Sequence, residues 1–383
     1  MVFRMGSLMS SDTVASQLRS ERSDGWSKGS WKLFRRLFQL ALPALSVFAN
    51  SSSLGLQNPP VNARTLVHAK LIRRFAGARD GGPATRRQRR LLSLELLEGS
   101  PSRDVTCTEL TIPGPAGALA ARLYRPKASP SSDNPLLVYF HFGGCVLGSL
   151  DSCHTACSLI AERSGFLVLS ASYRLAPEHR FPAAVDDALA AFRWAKASAQ
   201  YLGANPDLVS IGGDSAGGYL AAAVSLCLRD AQEALPCAQL LIYPVLEMDR
   251  RSMPMTPFDH CYPLTRDDMI WYCDQYMRDE RDAEDPRCSV ARASTLKGLP
   301  PTILAQAGYD LLFAEGEAFG QRLEADGVPL SRLIFPSLPH AFTAMSGGVQ
   351  EARTAIMEIA DAIKASVAHA REQEHQQPAR SEA

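Results

Sequence analysis

Short apolar runs alternate with longer amphipathic segments from about residue 104 to the end of the chain. Two runs, at residues 105–112 and 118–124, flank a Pro-Gly-Pro turn and predict a hairpin. Six further runs are typical of strands that are buried on both faces of a parallel sheet: residues 135–140, 166–171, 208–212, 239–243, 302–307 and 330–335. Helical patterns fall between or after them, at residues 152–164, 183–200, 216–230, 266–278, 313–326 and 349–368. This alternation predicts an α/β fold with a mainly parallel central sheet flanked by helices.

The first hundred residues and the last fourteen follow a different pattern. Residues 1–30 are Ser-rich and residues 50–62 read as a linker, so residues 1–62 are predicted to be an N-terminal extension that is partly disordered. Two Arg-rich helical patterns follow, at about 63–77 and 84–98, separated by Asp-Gly-Gly-Pro. Residues 370–383 are polar and are predicted to form a flexible tail.

Composition excludes several classes of protein and shows an uneven distribution of charge. The chain has 383 residues, of which 46% are hydrophobic, so it is not disordered and holds one large domain or two ordinary ones. Residues 1–100 contain 16 Lys and Arg against 6 Asp and Glu, whereas the remainder contains 24 against 34. A basic leader therefore precedes an acidic body, although the formal net charge is zero. The nine cysteines follow no regular framework, which indicates reduced thiols in a cytoplasmic protein.

Residues 31–49 combine basic and apolar side chains and allow three interpretations. Lys32, Arg35 and Arg36 precede an apolar stretch that is too short to span a bilayer. A helix in peripheral contact with a membrane surface fits this pattern, and so does a helix that covers apolar surface of the body. A signal peptide fits less well, because its positive region would be about 36 residues long. The prediction is a cytoplasmic protein, with membrane association as an option and secretion as the weakest interpretation.

The most specific local motif contains Ser215. The run Gly213-Asp214-Ser215-Ala216-Gly217 has the form G-x-S-x-G, directly follows a predicted buried strand and opens an Ala-rich helix. A serine on such a strand-to-helix turn adopts strained backbone angles and needs small neighbours. The helix N-terminus also directs amide donors towards developing negative charge. A glycine-rich turn with a solvated serine is the alternative, but the strand and the helix both favour a nucleophile.

Three other loops at strand ends supply the groups that a serine nucleophile requires. His141-Phe142-Gly143-Gly144 follows the strand at 135–140, and its paired glycines leave backbone amides accessible for an oxyanion hole. His340 follows the strand at 330–335, and Asp310 follows the strand at 302–307. The order Ser215, Asp310, His340 is that of the α/β-hydrolase catalytic triad, with nucleophile, orienting acid and general base.

With these motifs in hand, residues 63–365 are seen to resemble the hormone-sensitive lipase family of α/β-hydrolases, also called the bacterial family IV esterases. The motif around Ser215 carries the resemblance together with Tyr173-Arg174-Leu175-Ala176-Pro177-Glu178-His179-Arg180-Phe181-Pro182, a family hallmark without a catalytic atom. The resemblance implies an α/β-hydrolase fold and a serine carboxylic ester hydrolase for short- to medium-chain acyl esters. It implies a triad of Ser215, Asp310 and His340 and oxyanion donors at the amides of Gly143, Gly144 and Ala216. No cofactor and no metal are expected.

The resemblance also predicts a helical cap, or lid, over a catalytic domain at residues 101–369. The cap would consist of the helices at 63–100 and an insertion at about 248–290 that is rich in Met and aromatic residues. The sequence departs from the family at Phe142, where a glycine is usual, and at Cys145, where an aromatic residue is common. The candidates for substrate-pocket residues are Phe142, Cys145, Asp214, Tyr219, Phe258 and Phe342.

Several alternatives remain open from the sequence. An amidase or deacetylase would use the same triad, and a non-catalytic hydrolase-fold binding protein is a rival of another class, which the complete triad disfavours. A zinc site at Cys145, Cys153, His154 and Cys157 lacks a second ligand pair at a suitable spacing. The cluster Arg87, Arg89 and Arg90 lacks the aromatic interleaving expected for nucleic-acid binding. A small-molecule ester is the expected partner, and the oligomeric state stays open, with a homodimer as one option.

Overall fold

Eight strands form one sheet in the computed structural model, which describes residues 97–128, 133–251, 253–260 and 263–376. The strands are β1 (Val105–Gly114), β2 (Gly117–Pro126), β3 (Asn134–Phe140), β4 (Leu167–Ala171), β5 (Ala204–Asp214), β6 (Gln239–Ile242), β7 (Thr302–Tyr309) and β8 (Leu330–Pro339). Their spatial order is β1-β2-β4-β3-β5-β6-β7-β8. The two pairings that involve β2 are antiparallel, and all pairings from β4 across to β8 are parallel. The mainly parallel sheet expected from the sequence is confirmed.

Helices cover both faces of this sheet. In chain order the helices are α1 (His154–Ser164), α2 (Ala183–Ala197), α3 (Ala216–Asp230), α4 (Arg266–Tyr276), α5 (Phe313–Ala325) and α6 (Gln350–Gln376). All of them except α4 pack on the strands. On β3, Leu136 and Val138 pack in the apolar cluster shared with α2, α3 and α5, whereas Leu137 and Tyr139 pack in the cluster shared with α1 and α6. Successive residues of a strand face opposite sides of the sheet, and helices cover both sides of β3. The strand is therefore apolar at every position, which explains its unbroken hydrophobic run in the sequence.

Helix α6 is longer than the sequence pattern indicated. The prediction placed a loose tail from residue 370, but the helix continues to Gln376. Residues 366–376 are mostly good helix formers with no Gly or Pro, and the first helix breaker is Pro378. Arg371 on this last part of the helix forms an ion pair with Asp133 before β3.

The segment between β6 and β7 contains α4 and two short 3₁₀ helices, Glu280–Glu284 and Val290–Arg292. Thr265 begins α4 with a capping box: its hydroxyl accepts the amide of Asp268, whose carboxylate accepts the amide of Thr265. The predicted extension at 1–62, the stretch at 31–49 and the helical patterns at 63–98 lie outside the described residues, apart from Leu97 and Glu98. Within the described ranges, every helix is too short or too polar to cross a bilayer.

Candidate active site

Ser215 occupies the sharp turn between the end of β5 and the start of α3. Its backbone angles, φ 54° and ψ −115°, are strained for a residue with a side chain, as the sequence motif predicted. Its amide donates to the carbonyl of Ile242 on the neighbouring β6 at 2.8 Å, which holds the turn against the sheet. The turn therefore presents the serine at the carboxyl edge of the sheet, where binding sites of open α/β folds lie.

The structure brings the three predicted triad residues together in one hydrogen-bond chain. The distance from Ser215 Oγ to His340 Nε2 is 2.9 Å, and that from His340 Nδ1 to Asp310 Oδ2 is 2.6 Å. Asp310 follows β7 directly, and its other oxygen accepts the amide of Leu312 at 3.0 Å. His340 follows β8 directly. All three side chains are buried, so the chain of hydrogen bonds is shielded from competing water.

The loop after β3 has the backbone conformation that only glycine adopts easily. Gly143 has φ 128° and Gly144 has φ 63°. A Cβ atom on Gly143 would lie 2.0 Å from the carbonyl oxygen of Leu147, so any side chain there would force the loop apart. The paired glycines of the sequence motif are therefore required by the geometry of the turn itself.

His141 holds this loop in place through hydrogen bonds and ring stacking. Its Nδ1 donates to the carbonyl of Phe142 at 2.7 Å, and the hydroxyl of Tyr173 donates to the carbonyl of His141 at 2.7 Å. The rings of Tyr173 and His141 are also stacked, with centroids 4.4 Å apart. Burial lowers the pKa of His141 to about 4, although its hydrogen bond to Phe142 opposes this shift. His141 is therefore a neutral structural group at neutral pH.

The hallmark stretch around residues 173–182 holds the surroundings of the loop in place. Arg174 forms an ion pair with the fully buried Asp187 of α2, at 2.8 Å. The amide of Ala176 donates to the carbonyl of Cys145 at 2.8 Å. Sequence reasoning recognised this stretch but did not find Tyr173, Arg174 or Asp187 as supports, because their partners lie 13 to 32 residues away.

The six pocket candidates do not share one environment. Phe258 is partly exposed, and its ring lies 6.0 Å from that of Tyr309, next to Asp310. The side chains of the other five are buried: Phe142, Cys145, Asp214, Tyr219 and Phe342. A buried side chain contacts substrate only if it lies directly beneath the surface of the cleft. That these five residues form the wall of the substrate pocket therefore remains a prediction. Tyr272 of α4, which sequence reasoning did not single out for this place, packs its ring against Gly144.

The residues considered as a zinc site have other partners. The sulfur of Cys153 lies 3.2 Å from the hydroxyl oxygen of Ser170, and His154 Nδ1 lies 2.9 Å from the hydroxyl of Tyr124. Across the described residues, no group of three or more His, Cys, Asp or Glu side chains is arranged to hold a metal ion. None of the eight described cysteines forms a disulfide.

Comparison with known proteins assigns the chain to a family. A family model described as an α/β hydrolase fold matches residues 137–344. The chain is 43% identical over 248 residues to the carboxylic ester hydrolase LipN of Mycobacterium tuberculosis, covering 63% of this chain and 65% of LipN. It is 35% identical over 248 residues to the ethyl acetate hydrolase of Pseudomonas putida, covering 64% of this chain and 78% of that protein. The chain belongs to the family IV esterases of the α/β-hydrolase superfamily.

A solved structure agrees with this family IV assignment over most of the fold. The hyperthermophilic esterase from the archaeon Pyrobaculum calidifontis superposes with a TM-score of 0.71 at 33% identity, covering 78% of this chain and 97% of that one. The α/β-hydrolase fold and the carboxylic ester hydrolase class expected from the sequence are thereby confirmed. LipN is longer than the matched region, since the chain spans just under two thirds of its length.

Proposed function

We propose that Ser215 is the nucleophile of this esterase and that it forms an acyl-enzyme with short- to medium-chain acyl esters. The observation that carries the proposal is the continuous hydrogen-bond chain from Ser215 through His340 to Asp310, on a strained strand-to-helix turn. A serine hydroxyl is a weak nucleophile until an adjacent base accepts its proton, and His340 Nε2 is within hydrogen-bond reach of Oγ.

The acylation step follows from the roles that this geometry supports. Ser215 Oγ attacks the ester carbonyl while its proton passes to His340 Nε2, which then gives that proton to the departing alcohol. Asp310 accepts from Nδ1, so it fixes the imidazole tautomer and stabilises the imidazolium. A water molecule then attacks the acyl-enzyme with His340 again as base, which releases the acid and restores Ser215.

The oxyanion of each tetrahedral intermediate would be held by the backbone amides of Gly143, Gly144 and Ala216. Gly143 and Gly144 lie in the braced loop after β3, and Ala216 begins α3, whose N-terminal dipole adds to the effect. One such donor is worth about 3 kcal/mol in comparable sites. This stabilisation of the oxyanion requires no rearrangement of the loop, because His141 and Tyr173 hold the loop in place before substrate binds.

The expectation of short acyl groups has two supports. The ring of Tyr272 lies against Gly144 and places α4 beside the oxyanion loop, which limits the room there. The ethyl acetate hydrolase among the relatives is named for an ester with a two-carbon acyl group. We assign the described parts of the segment at 248–290 to a cap that encloses the acyl or alcohol group. Residues 63–96, which the sequence analysis placed in the same cap, lie outside the described residues.

The first test replaces the nucleophile. In Ser215→Ala, kcat for an aryl acetate should fall at least about 10⁴-fold, because the remaining site can bind but cannot form the acyl-enzyme. Ser225→Ala is the matched control, since Ser225 lies on the same helix and its buried hydroxyl donates only to the carbonyl of Ala221 at 2.9 Å. Turnover retained in Ser215→Ala, or lost equally in Ser225→Ala, would contradict the assignment.

The second test measures the substrate range. Aryl esters from acetate to palmitate should show their highest kcat/KM between about two and eight acyl carbons, with emulsified long-chain esters turned over poorly. An aryl amide of the best acyl group should react far more slowly than the ester. A maximum at palmitate, or a preference for the amide, would overturn the proposed substrate class while leaving Ser215 in place as nucleophile.

A further inference from the structure

The carboxylate of Asp214 lies immediately before Ser215 in the chain, and the proposed reaction gives it no role. It is fully buried and turns towards the loop that carries His340. Its Oδ2 accepts a hydrogen bond from the hydroxyl of Thr343 at 2.6 Å and another from the hydroxyl of Tyr243 at 3.1 Å. A charged acceptor with two hydroxyl donors is among the stronger hydrogen-bonded groupings in a protein.

Both donors are attached to the surroundings of His340. Thr343 lies three residues after it, in the 3₁₀ helix Phe342–Met345, and Ala341 between them has the left-handed backbone angle φ 59°. Tyr243 follows β6, and its ring centroid lies 4.8 Å from that of His340. The hydroxyls of Tyr243 and Thr343 also contact each other. Thr343 thus ties the His340 loop to Asp214 at the end of β5, and Tyr243 ties the end of β6 to the same carboxylate.

We propose that Asp214 is a positioning residue for the proposed reaction: through Thr343 and Tyr243 its carboxylate fixes the loop of His340 relative to Ser215. The inference rests on the proposed function of Ser215 and His340. Asp214 gives or accepts no proton in the proposed steps, but it joins the nucleophile turn to the loop of the base. The residue directly before the nucleophile thereby determines the distance across which the proton is transferred.

The same carboxylate also acts on the charge that His340 acquires. The titratable groups that face Asp214 from the elements around it are those of Tyr139, Cys157, Tyr173, Tyr243 and His340. Burial raises the pKa of the three tyrosines and of the cysteine well above their usual values, so these four are neutral during catalysis. His340 alone among them gains a positive charge in the reaction, and the charge of Asp214 favours that imidazolium.

Two readouts separate positioning from a merely structural role. Asp214→Asn keeps the shape of the side chain but removes its charge. Its kcat should fall about tenfold, while its KM stays within about twofold of that of the natural protein. The acidic limb of its kcat/KM profile should move about 0.5–1 unit lower in pH. In Thr343→Val the charge stays but one donor is lost. Its kcat should also fall about tenfold, and Thr343→Ser should restore kcat to within about twofold of the natural protein.

The matched control is Ser210→Ala on β5, which also removes one buried hydroxyl, in this case a donor to the carbonyl of Leu136 at 3.1 Å. Its kcat and pH profile should be those of the natural protein. The inference is wrong if Asp214→Asn keeps both kcat and the acidic limb, if Thr343→Ser is as impaired as Thr343→Val, or if Ser210→Ala loses as much activity. Ser215→Ala is measured in parallel, since turnover in that variant contradicts the proposed function, whereas its inactivity beside unaffected Asp214 and Thr343 variants contradicts only this inference.

Discussion

At the scale of single residues, Asp214 holds a charge that its surroundings disfavour. Burial raises its pKa from the usual 3.8 to about 6, and the hydrogen bonds from Thr343 and Tyr243 offset this only in part. Above about pH 6 the folded protein therefore contains a buried carboxylate that the unfolded chain would expose to water. Because the folded state binds this proton more tightly than the unfolded state, stability from this group is present below pH 3.8 and is lost as pH rises through 6.

This linkage predicts that Asp214→Asn becomes more stable relative to the natural protein as pH rises. Between pH 3.5 and 7.5 the difference in unfolding free energy should change by up to about 3 kcal/mol in favour of the variant, at about 1.4 kcal/mol per unit of pKa shift. Urea unfolding of both proteins at a series of pH values measures it, and contributions from groups that do not interact with Asp214 cancel in the difference. A difference that is independent of pH would show that Asp214 ionises in the folded protein as it does in the unfolded chain.

At the scale of elements, the sequence predicted what depends on local pattern and missed what depends on distant partners. The central strands were recognisable because a strand covered on both faces is apolar at every position, and Ser215 and Asp310 of the proposed triad each follow such a strand. The prediction of burial on both faces was wrong for β8 before His340, because β8 is an edge strand whose residues 330–335 are mostly exposed or half-buried. Tyr243 and Thr343 were not found, since they are 29 and 129 residues from Asp214 and only the fold brings them there. The end of α6 was missed because polar residues were taken as a sign of a tail, although most of them are good helix formers.

Arg250 and Glu315 form another pairing that only the fold reveals. Arg250 lies in the segment after β6, and Glu315 lies in the first turn of α5, five residues after Asp310. Both side chains are almost fully buried. Arg250 Nη2 donates to Glu315 Oε1 at 2.9 Å, and the same oxygen accepts the amide of Leu246 at 2.9 Å. Burial raises the pKa of Glu315, and the positive charge of Arg250 opposes this shift. The pair ties the segment after β6 to the helix that follows the acid of the triad.

Removing one partner of this pair should therefore be far more costly than removing both charges. Arg250→Met should lower the unfolding free energy by about 3–5 kcal/mol, because it leaves a buried carboxylate without its counter-ion. Arg250→Met/Glu315→Gln should recover much of that loss, since the glutamine still accepts the amide of Leu246. Arg163→Met is the control: its partner is Asp361, both side chains are about half exposed, and the loss should be far smaller than in Arg250→Met because water screens this pair. Equal destabilisation in the single and double variants, measured by urea unfolding, would contradict this account.

At the scale of the whole molecule, the chemistry and the positive charge lie in different parts of the chain. Every group assigned to the reaction falls between His141 and Thr343, within the acidic body, whereas residues 1–100 carry ten more basic than acidic residues. Among the residues that the structure describes, the strands and helices that build the site begin at Val105. The extension at 1–62 contributes no group to the proposed reaction, and within its sequence residues 31–49 combine basic and apolar residue types.

This division predicts that any binding to anionic membranes is separable from ester hydrolysis. The full-length variant Lys32→Glu/Arg35→Glu/Arg36→Glu should lose most of its affinity for phosphatidylserine vesicles, since each basic residue near such a surface contributes about 1 kcal/mol. Its kcat/KM for a soluble aryl acetate should equal that of the natural protein. Arg87→Glu/Arg89→Glu/Arg90→Glu makes the same change of charge outside the apolar stretch. It should retain most of the vesicle binding, because a helix on a membrane surface is anchored by apolar side chains as well as by charge, and basic residues outside the apolar stretch lack that anchor. Equal loss of binding in the two triple variants would show that the binding depends on net charge alone. If the natural protein does not bind the vesicles, the interpretation of residues 31–49 as a membrane-surface helix is wrong, and a helix that covers apolar surface of the body is favoured.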